Sequence, residues 1–224
     1  VVFNAKNDLQ ETLDHLKRQT FIDYELIIVD GGSTDGTLSV IDSFSDLIST
    51  FISEPDNGIY DAMNKGITLA NGEWITFLNA GDFYCDIDRL QHIFSHDLLH
   101  KDFIYGDMFL LSAEGKKVRY LKAEHLNKSS IAKGMIACHQ AMFIRRHLCP
   151  TYRLDLRYQG DLNWGMDILY QIDFSHILYI NKDIVFFKAG GFSDQTILQQ
   201  LFEHISLVIN RYGFLTLILL LPRF

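Results

Sequence analysis

Glu25-Leu26-Ile27-Ile28-Val29-Asp30-Gly31-Gly32-Ser33-Thr34-Asp35-Gly36-Thr37 decides the fold. A short apolar run, rich in β-branched residues, ends abruptly in acids, glycines and hydroxyls, the pattern of a buried strand entering a polar turn. Upstream, Asn7 followed three residues later by Gln10 has the form of a helix N-terminus, and Leu9, Leu13 and Leu16 then share one face. Downstream, Leu38, Ile41 and Phe44 mark the inward side of a second helix. Ile48 to Ser53 reads as the next strand, and Asp61 to Ala70 as a helix with Met63, Ile67 and Ala70 on one face. Trp74 to Leu78 reads as a third strand.

Such alternation predicts right-handed crossovers, a mostly parallel central sheet with helices on both faces, and ligands beyond the carboxyl ends of the strands. Three polar clusters fall at that place: Asp30 to Asp35, Glu54 to Asp61 and Asn79 to Asp82. After Tyr105 the pattern changes. Met108 to Leu111 and Val118 to Leu121 read as a hairpin around Ala113-Glu114-Gly115-Lys116, and Leu162 to Ile172 as a helix. The expected organisation is therefore a ligand-binding half over 1–106, a smaller mixed half of the same domain over 107–193, and a helical tail over 194–224.

A chain of 224 residues, 48% of them apolar, can bury one large core. Its formal net charge of -8 excludes a general nucleic-acid binder, which needs a basic face to neutralise phosphates. Cys85, Cys138 and Cys149 are odd in number and lack paired ligand spacing, so neither a disulfide framework nor a zinc knuckle is expected and a cytoplasmic setting fits. Val1-Val2-Phe3 carries no basic or cleavage pattern of a signal peptide, and the first strand reads as short of its leading residues. Phe214 to Leu221 is apolar but far below the roughly 20 residues that a spanning helix requires.

Taken together, Gln19-Thr20-Phe21, the Val29 to Thr37 turn, Ser53-Glu54-Pro55-Asp56-Asn57-Gly58-Ile59-Tyr60-Asp61-Ala62-Met63-Asn64-Lys65-Gly66 and Phe77-Leu78-Asn79-Ala80-Gly81-Asp82 resemble glycosyltransferase family two in order and spacing. That family consists of inverting enzymes with the GT-A, Rossmann-like α/β fold. The resemblance implies transfer of a sugar, hexosyltransferase-like, from an NDP-sugar donor to the hydroxyl of a glycan or lipid-linked acceptor, as in bacterial polysaccharide biosynthesis. It also implies a divalent metal, Mn2+ or Mg2+, to neutralise the departing diphosphate. The family's metal element is Asp-x-Asp after the third strand; here Asn79 and Gly81 depart from it and Asp82 is left as the metal ligand. Of the family's acid doublet at the second strand, Asp30 matches the first member and Gly31 replaces the second, which leaves the nucleobase open. Donor contacts are implied for Asn4, Asp30, Asp56, Asp61, Lys65, Asn79 and His139, the last within Cys138-His139-Gln140-Ala141. Asp161, at the start of the Leu162 helix, is implied as the catalytic base, with Asp155 and Asp167 as weaker candidates. Ala189-Gly190-Gly191-Phe192-Ser193 matches the loop that ends the family's catalytic region.

Plain structural roles stand beside these readings. Asp82 can close a turn, Asp61 can favour the dipole of its helix from the first turn, and Asp161 can cap one. His92, His96 and His100 are four apart, and we read them as a solvated helix face. Asn127-Lys128-Ser129 spells a glycosylation sequon without meaning in a cytosolic protein. Two other functions remain open: an inactive sugar-nucleotide-binding or scaffold protein, and a nucleotidyltransferase, although Phe3-Asn4-Ala5-Lys6-Asn7 lacks the basic glycine loop that the latter requires. In the tail, Phe202, Ile205, Val208, Ile209 and Tyr212 recur at helical spacing. Such a helix either packs on the core or on a second subunit, giving a homodimer, or lies peripherally on a membrane surface.

Overall fold

The strand read at Ile27 pairs in parallel with its successor over four residues, Ile27 opposite Thr50 through Asp30 opposite Ser53. Val2 bridges Asp30 in parallel on the other side, so the first residues continue this layer. The computed structural model describes residues 1–123, 126, 130, 137–189 and 197–214. Its elements are α1 (Lys6–Leu16), β1 (Ile27–Asp30), α2 (Thr37–Ser43), β2 (Thr50–Ser53), α3 (Ile59–Leu69), β3 (Trp74–Ile75), β4 (Phe83–Tyr84), α4 (Arg89–Phe94), β5 (Phe103–Leu111), β6 (Lys117–Leu121), β7 (Met142–Arg145), α5 (Gly160–Gln171), β8 (Ile177–Lys188) and α6 (Ile197–Tyr212).

A second sheet has the order β3-β7-β5-β8-β4, with β6 paired to β5. Within it β5 and β8 run parallel, whereas β3 with β7, β5 with β7, β8 with β4 and β5 with β6 are antiparallel. The α/β architecture is as expected. Its parallel character, however, belongs to β1, β2 and the β5–β8 pair; of the antiparallel pairs only β5–β6 joins consecutive strands as a hairpin, and the others bring together segments far apart in the chain. The hairpin read at Met108 and Val118 is the β5–β6 pair. The boundary set at 106/107 lies inside β5, where the register against β8 shifts. Gly106 lets β8 approach: a Cβ there would meet Ile184 Cδ1 at 2.5 Å.

Several local expectations shift. The first helix starts at Lys6 after Ala5 without a side-chain cap, so Asn7 is inside it. Asp35 accepts the Lys6 N–H from across the glycine turn instead. Leu38 is exposed and Val40 takes its inward place beside Ile41 and Phe44. α4 ends at Phe94, so His96 and His100 lie beyond it and the three histidines do not share one helix face. The 127–129 sequon, the 190–193 loop and residues 215–221 of the apolar run lie outside the described residues.

An aromatic stack joins the halves. Tyr60 of α3 lies on Tyr152 at 5.3 Å between centroids and Tyr152 on Trp164 of α5 at 5.0 Å, with Phe77 edge-on to both Tyr152 and Trp164. Asn64 fastens the same joint by donating to the Tyr152 carbonyl at 2.9 Å and accepting its N–H at 2.6 Å.

Candidate active site

On the β1 side, Asp30 is fully buried and its carboxylate organises the glycine turn. It accepts from the N–H groups of Gly32 and Ser33, from Ser33 Oγ and from Ser53 Oγ at 2.6 Å. Burial pushes its pKa up, but hydrogen bonds from Ser33, Ser53 and the two amides outweigh that and hold it below the usual carboxylate range. Asn4, at φ 46°, donates its N–H to Ser33 Oγ at 2.7 Å and accepts from Thr34 N at 2.8 Å. Asp30 and Asn4 thus set the loop's shape from within.

Asp56 comes to the same loop from β2. A Cβ on Gly31 would lie 2.6 Å from Asp56 Oδ2. A side chain at 31 would collide with this carboxylate, so the glycine leaves room for Asp56 beside the turn. Asp61 accepts from Asn57 N at 3.0 Å, and Lys65 Nζ lies 2.8 Å from Glu54 Oε1 and 3.5 Å from Asp61 Oδ2. The hydrogen bond to Glu54 raises the Lys65 pKa, so Lys65 is charged and already paired.

Asp82 is the buried acid of the site, at the end of the turn that follows Asn79. Its Oδ1 accepts from Lys188 N at 3.0 Å and its Oδ2 from Gln140 Nε2 at 2.9 Å. Burial raises its pKa to about 6, against the Lys188 amide, the nearby His139 and Gln140. The Asn79 Oδ1 and His139 Nε2 atoms are buried with no hydrogen-bond partner. Unpaired buried polar atoms are costly, and their presence beside a buried carboxylate marks a place where a polar ligand would be accepted.

His139 and Gln140 form one short 3-10 turn, and it links two carboxylates far apart in sequence. Gln140 holds Asp82, while His139 Nδ1 lies 3.5 Å from Asp161 Oδ2. Asp161 sits in the first turn of α5, with Oδ1 accepting from Leu162 N at 2.8 Å, and stays partly exposed. Asp155 pairs outward with Arg153, and Asp167 pairs with Arg211 at 2.5 Å.

Carboxylate, amide oxygen and imidazole nitrogen are donors that Mn2+ or Mg2+ accept. Asp82, Asn79 and His139 offer these types, and each Asp82 oxygen keeps a further lone pair. Among the described residues no group of three or more His, Cys, Asp or Glu side chains is placed to hold an ion. Tyr60 and Gln140 belong to stretches that carry the family resemblance, whereas Glu203 has no site role in the sequence reading, and no local signal ties it to the segment before Asp161.

Residues 1–154 match the family described as Glycosyl transferase family 2, and the chain belongs to that family. A protein of Mycobacterium tuberculosis named "PGL/p-HBAD biosynthesis glycosyltransferase" is 36% identical over 171 residues, which are 74% of this chain and 65% of the relative. The chain thus spans 65% of the length of these mycobacterial relatives. An "Uncharacterized glycosyltransferase" of Haemophilus influenzae is 24% identical over 197 residues, 86% of this chain and 78% of the relative. In fold the chain is similar to S. aureus TarS 1-349 in complex with UDP-GlcNAc, with a TM-score of 0.75 at 17% identity over 93% of this chain and 64% of that one. It is also similar to the mannosyltransferase PcManGT of Pyrobaculum calidifontis in complex with GDP-Man and Mn2+, with a TM-score of 0.65 at 17% identity over 93% of this chain and 62% of that one.

Proposed function

We propose that the chain is an inverting glycosyltransferase that moves a sugar from an NDP-sugar to an acceptor hydroxyl. The observation that carries this reading is the Asp82–Gln140–His139–Asp161 line, which sets a buried acid and a partly exposed one on either side of a single turn. Asp161 takes the proton of the acceptor hydroxyl as that oxygen bonds the anomeric carbon. The bond from that carbon to the diphosphate breaks, and its electron pair leaves on the diphosphate. A divalent ion held at Asp82, Mn2+ or Mg2+, would neutralise the charge that develops on the leaving group. Asn79 and His139 offer their unpaired atoms to the donor, and Asp56 adds a carboxylate beside the turn shaped by Asn4 and Asp30. Lys65, paired with both Asp61 and Glu54, holds the second loop together with Asp61. Since the mycobacterial relatives are named for PGL/p-HBAD biosynthesis, we extend to this chain the broader acceptor class of glycans and lipid-linked sugars at the cytoplasmic face of a membrane.

The test is a thermal-shift screen of NDP-sugars with and without Mn2+, followed by transfer assays with wild type, Asp82→Ala and Asp161→Asn. We expect donor-dependent stabilisation, about 2.7 kcal/mol at 100 times the dissociation constant. Asp161→Asn should still bind donor while transfer falls by about 10²–10⁴-fold. Asp82→Ala should lose metal-dependent turnover. Wild-type transfer in excess EDTA would remove the metal role, near-normal transfer by Asp161→Asn would remove the base, and donor binding without turnover would favour a scaffold.

A further inference from the structure

The segment that delivers Asp161 is held from outside by two side chains. Glu203 of α6 accepts at Oε1 from Arg157 N at 3.0 Å, and at Oε2 from Tyr158 N at 2.8 Å and Gln159 N at 2.9 Å. Tyr60 Oη of α3 accepts from Gly160 N at 3.0 Å. Four consecutive backbone N–H groups, immediately before Asp161, therefore end on one carboxylate and one phenol. Neighbouring amides that point together form a positive concavity of the kind that elsewhere binds anions, and here the chain fills it with its own carboxylate. Gly160 is required for the fit, since a Cβ there would meet the Tyr60 ring at 2.5 Å.

The same two elements are tied again further along. Arg211 of α6 reaches Asp167 Oδ1 at 2.5 Å, six residues along α5 from Asp161, and Leu207 and Val208 are buried between these polar contacts. An acid in the first turn of a helix can adopt several positions when the approach to that turn is free. With the amides fixed, its carboxylate stays facing His139. α6 lies wholly beyond the residues that match the family, 1–154.

We propose that Glu203 is a positioning residue: it fixes the approach to α5 and so holds Asp161 in line with the acceptor hydroxyl, making α6 a required part of the active site. This rests on the reading of Asp161 as the base. Misplacing a reacting group by about 1 Å costs on the order of 10²-fold, so the effect should be read in kcat and not in donor affinity.

The experiment compares full-length wild type, Glu203→Ala, Glu203→Gln, Glu203→Asp and Asp161→Asn by amide hydrogen exchange and by transfer kinetics. In Glu203→Ala the amides of residues 157–160 should lose protection while those of Leu162 to Leu169 keep it. For both Glu203→Ala and the isosteric Glu203→Gln, kcat should fall by about tenfold or more with donor KM unchanged. Glu203→Asp should recover part of the rate. Retained protection at 157–160, or lost protection with unchanged kcat, overturns the proposal. If Glu203→Ala fails to fold, Glu203→Gln carries the same two readouts. Failure of the base assignment is seen separately, as Asp161→Asn transferring at the wild-type rate whatever the Glu203 variants do.

Discussion

Asp30 turns its whole carboxylate inward, where every lone pair that matters to the turn is met by a donor of the chain. Replacing it with Asn sets an NH2 group against those donors, and leaving buried partners unmet costs about 1–3 kcal/mol. The sign with pH follows from its depressed pKa. A carboxylate held below its unfolded value, about 3.9, stabilises fully above that pH and loses the contribution as pH falls through the folded value. The gap between wild type and Asp30→Asn in urea unfolding should therefore be full at pH 7 and shrink below about pH 4. A gap independent of pH would mean that shape rather than charge is at stake. In the sequence Asp30 reads as a ligand contact because it ends a strand where ligands gather. Its position was legible; the serines that consume its oxygens, one of them 23 residues away on β2, were not. Gly31 is the converse case. As a missing acid it is a gap in a pattern, and only proximity in space shows that the place of its side chain lies against the Asp56 carboxylate.

At the scale of elements, periodicity located the core helices well, because an apolar face repeats whatever its partner is. Polar contacts adjust the rotation at the margin. In α6 the apolar pattern groups Phe202 with Ile205, Val208, Ile209 and Tyr212, yet Phe202 is 70% exposed while Val208 of that set and Leu207 outside it are buried. Glu203 and Arg211 explain this: to reach the amides of 157–159 and Asp167 they must face α5, and Leu207, midway between them at spacings of four, turns inward with them. We predict that Leu207→Ala costs about 2–5 kcal/mol in equilibrium unfolding, as for a buried leucine. Phe202→Ala should stay within about 0.5 kcal/mol. Equal effects would return α6 to the rotation read from its apolar pattern. The strands show the same division. β1, β2 and β3 announce themselves by composition, but the parallel contact of β5 with β8 joins segments some 70 residues apart, and no local pattern encodes which edges will meet.

For the molecule as a whole, the docked side of α6 leaves another apolar edge outside. Leu198, Leu201 and Phe202, at spacings of three and four, are all exposed, and Phe214 follows just past the helix. No helix among the described residues is long and apolar enough to cross a membrane, and the contact we propose for this edge is one made along a bilayer surface. Charge sets its character. With a net charge of -8 the chain is not drawn to anionic lipid from a distance, and insertion of apolar side chains must supply the binding. Tyr212 packs against the core, so the cut that leaves the brace intact falls after it. We predict that deleting 213–224 lowers sedimentation with anionic vesicles and raises solubility, while Glu203 stays in place and transfer to a short soluble acceptor is retained. Replacing Leu198, Leu201 and Phe202 with Ser in the full chain should weaken vesicle binding further, with little loss of fold stability. Deletion from residue 197 onward is a different operation, since it also removes Glu203, Leu207 and Val208, and it should cost transfer on every acceptor. Binding that persists at high salt would fit insertion of the apolar edge, whereas binding lost at about 0.5 M salt would point to charge. Full-length protein that ignores vesicles while eluting at twice the monomer mass would assign the same edge to a second copy of the chain instead.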